Sequence, residues 1–187
     1  MSLQTFVEAV RVEKAQGSSL SNSTTPTSLL VTADKITLPN NYFQPGRAYR
    51  ITATGRLSNI VTTPGTLTLD IRLGAVIAFN GGAVQLSTTA HTTVPFWWDV
   101  LVTCRAEGSG TSANLIGLSK LHSQAVSISG ADPTTGHSFV LAPNTTPAAG
   151  TGFDSTSALT VDLFATFSTA NAGNLIGLEQ LVIEALN

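Results

Sequence analysis

The run Gly65-Thr-Leu-Thr-Leu-Asp-Ile-Arg-Leu-Gly74 constrains this chain more than any other stretch. Leu67, Leu69, Ile71 and Leu73 alternate strictly with Thr66, Thr68, Asp70 and Arg72. Successive side chains of a strand point to opposite faces, so the run is a half-buried β-strand with one apolar and one polar face. The same period returns in 49–57, where Tyr49, Ile51, Ala53 and Leu57 alternate with Arg50, Thr52, Thr54 and Arg56. In 96–106, Phe96, Trp98, Val100, Val102 and Cys104 share one face, and Trp97, Asp99, Leu101, Thr103 and Arg105 the other. Residues 159–167 alternate again, and 175–186 close the chain as a further strand.

Turn residues divide these segments. Pro45-Gly46 and Pro64-Gly65 set up reversals. Asn80-Gly81, flanked by 75–79 and 83–86, predicts a two-residue hairpin because both residues tolerate positive φ. Further strands are predicted at 113–119, 121–129 and 137–142, followed by a Pro/Gly/Thr loop over 143–157. Eight to ten short strands at regular spacing mark an all-β, antiparallel sandwich or barrel. A single two-sheet jelly roll suits the length and strand number. An immunoglobulin-like sandwich fits less well, since Cys104 has no partner cysteine. Asn114-Leu-Ile-Gly-Leu118 recurs as Asn174-Leu-Ile-Gly-Leu178. The echo reads either as two equivalent strand starts or as chance in a Leu/Ile/Gly-rich chain.

The first 28 residues read differently. Leu3, Phe6, Val7 and Val10 follow helical spacing, while 6–12 also reads as a short strand. The stretch from Gly17 to Ser28 is almost all Ser, Thr, Gly, Asn and Pro, a linker composition. Residues 1–28 are therefore expected to form an arm and tether, with Leu3, Phe6, Val7 and Val10 as its docking tip. The β-domain is expected over 29–187. An extra edge strand of the same domain is the alternative.

Composition narrows function by exclusion. Charged residues are 11% of the chain, against about 25% in ordinary soluble domains. Ser and Thr fill about a quarter of the positions. Neutral polar surface is cheaper to bury than charged surface, which favours an oligomer or lattice component. The net charge is −2, and the six arginines are scattered with no basic run, so nucleic acid is not an expected partner. No apolar stretch approaches the roughly 20 residues of a membrane span, so no membrane role is expected. The N-terminus also lacks the basic region of a secretory signal.

Chemistry-bearing residues do not assemble into a motif. His91, His122 and His137 lie in three segments with no metal-ligand spacing, and the lone Cys104 reads as a small core residue. Asp70, Asp99 and Asp162 sit on polar strand faces beside Arg50, Arg56, Arg72 and Arg105, a pattern of cross-strand ion pairs rather than of a hydrolase. No enzyme activity, metal or cofactor is expected. The anomaly is apolar bulk on wet faces: Trp97 and Leu101 with Asp99, and Phe164 with Asp162. Aromatic residues there are covered by a loop of the chain or by a partner, and the second reading makes Trp97, Leu101 and Phe164 the centre of a self-interface.

The stretch Thr32-Ala-Asp-Lys-Ile-Thr-Leu-Pro-Asn-Asn-Tyr-Phe-Gln-Pro-Gly-Arg-Ala-Tyr-Arg-Ile-Thr-Ala-Thr-Gly-Arg56 resembles virion structural proteins of tailed bacteriophages. So do Thr63–Gly74, Val161-Asp-Leu-Phe-Ala-Thr-Phe-Ser-Thr-Ala-Asn-Ala-Gly-Asn174 and the final Glu-Ala-Leu-Asn. The likeness spans roughly 30–187 and rests on strand patterns. It implies a jelly-roll domain, often trimeric, displayed on a capsid or tail, and it brings no catalytic residues. The expected role is a capsid decoration or cement protein that forms a homotrimer, contacts the major capsid protein and braces the shell. The alternative is a tail- or fibre-associated receptor- or carbohydrate-binding module using loops 87–95 and 143–157.

Overall fold

The computed structural model describes residues 7–127 and 138–186. Its strands are β1 (Glu8–Val12), β2 (Ser19–Ser21), β3 (Thr27–Ser28), β4 (Ile36–Leu38), β5 (Ala48–Asn59) and β6 (Thr66–Leu73). They continue with β7 (Val76–Gln85), β8 (His91–Ala106), β9 (Asn114–Ser123), β10 (Ser138–Ala142), β11 (Leu159–Phe167) and β12 (Leu175–Ala185). A 3-10 turn, Thr32–Asp34, precedes β4. One sheet runs β1-β12-β5-β8-β9-β10, with β2 also on β12; we call it the long sheet. The short sheet runs β3-β11-β6-β7, with β4 also on β11. All pairings are antiparallel.

The pairing is nested. β6 pairs with β7, and β5 with β8 outside them. β3 and β4 together line the edge of β11, and β1 and β2 together line β12. The chain is thus one long antiparallel ribbon folded over on itself, the jelly-roll arrangement. The β9–β10 hairpin is added to the free edge of β8.

The alternation read from sequence decides which side chains enter the core. Tyr49, Ile51, Ala53 and Leu57 of β5 face Leu67, Leu69, Ile71 and Leu73 of β6 across the sandwich, all buried. Trp98 lies on the inner side of β8 and packs against Phe79, with ring centroids 6.4 Å apart. Cys104 is a fully buried core residue whose thiol is pushed up by burial, in agreement with its reading as a small hydrophobe.

Three expectations need correction. Residues 8–28 are not a tether: β1 and β2 pair with β12, β3 pairs with β11, and Leu20 is buried. The boundary expected at 28 therefore runs through paired strands, and over 8–12 the backbone is extended, not helical. Ser and Thr serve as well on an edge strand as in a linker, so composition could not separate the two. Asn80-Gly81 is not a hairpin turn. Both flanks pair with β6, and the extra residue is absorbed by a bulge in which Asn80 Oδ1 accepts from Gly82 N at 2.7 Å. Gly81 is required there, because a Cβ would fall 2.5 Å from the Leu69 carbonyl oxygen. The actual β6–β7 turn is Gly74-Ala75, with Gly74 at φ +62°.

The segments expected at 113–119 and 121–129 are joined: β9 crosses the supposed break as one strand. Of the two readings of the pentapeptide echo, the structure agrees with chance. Leu115 is buried and Leu118 exposed in β9, whereas Ile176 and Leu178 are buried in β12. The two copies have opposite parity, and a one-residue difference in phase sends every side chain to the other face.

Candidate assembly face and groove

Alternation along β8, β9 and β10 directs one set of residues to the outer surface of the long sheet. In register across it stand Gln180, Thr54, Trp97, His122 and Phe139. The next outward row holds Val182, Thr52, Asp99, Lys120 and Leu141, and the one after it Glu184, Arg50, Leu101 and Leu118. Trp97 is 53% exposed, Leu101 51%, Phe139 57%, Leu141 46% and Leu118 40%. Among the described residues no loop covers them. Between them Arg50 grips Asp99 with two parallel hydrogen bonds, both 2.8 Å, which hold the Asp99 carboxyl below the usual range. Lys120 adds a longer contact to Asp99 at 3.9 Å.

Beyond Trp97, on the side away from Leu101, the same surface sinks into a groove of ≈ 530 Å³. Trp97 and His122 form one end, Gln124 and Pro95 lie along it, and Glu179 and Gln180 of β12 form the other wall. Those two neighbours both point outward because the β12–β5 register shifts between Leu178 and Gln180. A bulge of this kind re-aims side chains. Arg56 Nε and Gln16 Nε2 donate to Glu179 Oε1 at 2.6 and 2.9 Å, and Thr54 Oγ1 donates to Gln180 Oε1 at 3.3 Å. Gly55 lines the groove where β5 meets β12; a Cβ there would stand 2.0 Å from the Gly177 carbonyl oxygen.

Phe164 is elsewhere. It lies on the outer face of the short sheet, opposite Asp70, so the structure does not join it to Trp97 and Leu101. The Arg72 guanidinium sits 3.8 Å above its ring and donates to Asp70 Oδ1 at 2.8 Å. Asp162 accepts from Ser28 Oγ at 2.7 Å and pairs with Lys35 at 2.5 Å. Burial pushes the Asp70 carboxyl up, against the pull of Arg72. Asp70 and Asp162 are held by cations on one face of the sandwich and Asp99 on the other.

Of the expected docking residues, Leu3 and Phe6 lie outside the described residues. Val7 is exposed, and Val10 is half-buried against the core. Nearby, Arg11 pairs with buried Asp34 and so ties β1 to the 3-10 turn. Glu13 lies beside this pair with both carboxylate oxygens buried and without a hydrogen-bond partner. Burial, Asp34 and Glu179 raise its pKa to about 7, and Arg11 offsets part of that rise.

His91 Nδ1 lies 3.1 Å from Asn59 Oδ1 and 2.8 Å from the Thr89 carbonyl oxygen, while His137 lies outside the described residues. Among the described residues no cluster of His, Cys, Asp and Glu could hold a metal ion, and no helix is long and apolar enough to cross a membrane. Leu118, Phe139 and Leu141 were missed in the sequence. The signal was their phase: Leu118 shares parity with Lys120 and His122, and Phe139 and Leu141 flank half-buried Val140. For the groove the signal was Leu178-Glu-Gln-Leu181, two polar residues in succession where strict alternation allows one.

No protein-family model matches the chain, and no curated protein does. Among solved structures it is similar to a β-fructofuranosidase from Schwanniomyces occidentalis complexed with fructosyl-erythritol. The identity is 12% and the TM-score 0.31, over 97% of this chain and 34% of that one. The same enzyme complexed with fructose gives 11% and 0.30 over the same shares. The chain spans about a third of these enzymes, and likenesses of this size carry no argument about activity.

Proposed function

We propose that this protein is a non-enzymatic virion structural subunit of the capsid decoration or cement type, which assembles as a homotrimer on a phage head and braces the shell. The observation that carries the reading is the exposed apolar set Trp97, Leu101, Leu118, Phe139 and Leu141 on one sheet face. Monomeric proteins scatter such residues singly, whereas a contiguous set rimmed by polar groups marks a contact surface. The Arg50–Asp99 pair in its middle is already neutralised, which lowers the cost of covering it. The resemblance of 30–187 to tailed-phage virion proteins supports the same reading, as does the low charge of the chain.

In this account the long-sheet face, with Leu101 and Leu118 at its centre, makes the self-contact. Phe164 leaves the interface, because Arg72 already covers it. Contact with the major capsid protein falls to the segment ahead of β1, with Leu3, Phe6 and Val7. Val10 packs on the core and takes no part in docking. The test is co-sedimentation with emptied, undecorated capsids of the virus that encodes the chain. Saturable binding by the full chain, lost on deletion of residues 1–6, is expected. A folded chain that leaves the shells bare would overturn the reading.

A further inference from the structure

The groove beyond Trp97 has a composition that selects its ligand. Its volume of ≈ 530 Å³ lies within the roughly 300–1,000 Å³ of small-molecule sites. Lys and Arg are absent from its lining, and the adjacent Arg56 is committed to Glu179, so no guanidinium or ammonium is left over to hold a phosphate or other anion. It is an open trough on a sheet face, apolar over most of its surface, where Trp97 and Pro95 lie, with Gln124, Glu179, Gln180, His122 and Thr54 as its polar groups. Its chemistry is that of an exposed indole beside carboxamides, a carboxylate, an imidazole and a hydroxyl. A pyranose presents the matching chemistry, with a C–H face that stacks on an aromatic ring and a rim of hydroxyls that both donate and accept.

The walls are pre-set for such a ligand. The β12 bulge turns Glu179 and Gln180 to the same side, and Arg56 and Gln16 fix the Glu179 carboxylate from behind. Gln124 stands just past the end of β9. We propose that this groove binds a neutral oligosaccharide, stacked on Trp97 and hydrogen-bonded by Gln124, Glu179 and Gln180. The site does not use the loop over 143–157 expected to serve a carbohydrate-binding module. It shares Trp97 with the exposed apolar set and opens on the side of Trp97 away from Leu101 and Leu118.

The experiment is a glycan array carrying neutral and anionic glycans, followed by calorimetric titration of the full chain with maltotriose, cellotriose and chitotriose. Binding to neutral glycans with a Kd between about 10 μM and 1 mM is expected for at least one trisaccharide. Trp97→Ala should weaken it at least tenfold and Gln124→Ala about threefold or more, while Leu101→Asp leaves it unchanged. Circular dichroism and the thermal midpoint establish that each variant is folded. Absence of binding to any neutral glycan by the wild-type chain would overturn the proposal. So would full affinity in both folded groove variants, or preference for anionic glycans. Loss of assembly in Leu101→Asp with retained glycan binding separates this site from the self-interface.

Discussion

The two outer faces of the sandwich carry the same kind of sequence and reach opposite ends. Each sets an aromatic residue beside an aspartate and an arginine on the polar side of a strand. On the short sheet, Arg72 spans both partners, bonding Asp70 and covering Phe164, and Asp70 is left 3% exposed. On the long sheet, Arg50 gives both its hydrogen bonds to Asp99, and Trp97 has no cation over its ring among the described residues. One face is therefore closed by its own chain and the other is open. Whether an apolar residue on a wet face is sealed depends on where the nearest guanidinium is committed, not on hydrophobicity.

The largest effect that would break this comparison is Arg72→Ala. It strands the buried Asp70 carboxylate and uncovers Phe164, so a loss of about 3 kcal/mol is expected in chemical denaturation at pH 7. The loss should shrink as pH falls, because burial raises the Asp70 carboxyl and, once protonated, it needs no cation. An equal loss at every pH would show that Arg72 acts through packing alone.

Next come the two aromatic truncations, measured on a Leu101→Asp background so that assembly does not contribute. Phe164→Ala should cost about 1.5 kcal/mol, from lost burial and the cation–π contact. Trp97→Ala should cost less than about 0.5 kcal/mol, as expected for an exposed side chain. Equal costs would mean that the two faces are alike after all.

Glu13 sharpens the contrast at the sandwich edge. Its folded pKa of about 7 lies above the ordinary carboxylate range. The native state therefore binds the proton more tightly than the unfolded chain, and stability falls as pH rises through that window. Glu13→Gln should leave stability unchanged at pH 4 and raise it by about 1 kcal/mol at pH 8, a figure discounted for solvent screening. Denaturation curves at the two pH values read this directly; a gain of the same size at pH 4 would contradict it. Arg50→Ala has a comparably small effect. Its exposed pair with Asp99 contributes about 0.5 kcal/mol, diminished further at high salt.

Much of the fold was legible because the strand period is local. Leu67, Leu69, Ile71 and Leu73 entered the core as read, as did the inner sets of β5 and β8. Parity gives the face of a strand but not its sheet. Trp97 and Phe164 therefore looked like neighbours in sequence logic and lie on opposite sides of the molecule. The Ser/Thr-rich start was misread for a related reason. A neutral polar edge strand and a flexible linker share a composition, and only the partner, β12, separates them. Asn80-Gly81 carried a sound turn signal, but both flanks found β6, so the freedom of glycine went into a bulge. Of the candidate site, Trp97 and Leu101 were visible as anomalies. The groove was not, because its walls come from strands about 80 residues apart in the chain.

Self-contact is proposed through the open long-sheet face and not through the closed short-sheet face. Light scattering on the wild type, Leu101→Asp and Phe164→Ser tests it most directly. Three times the protomer mass is expected for the wild type and for Phe164→Ser, and a folded monomer for Leu101→Asp. A wild-type monomer, or a Leu101→Asp protein of unchanged mass, would contradict it.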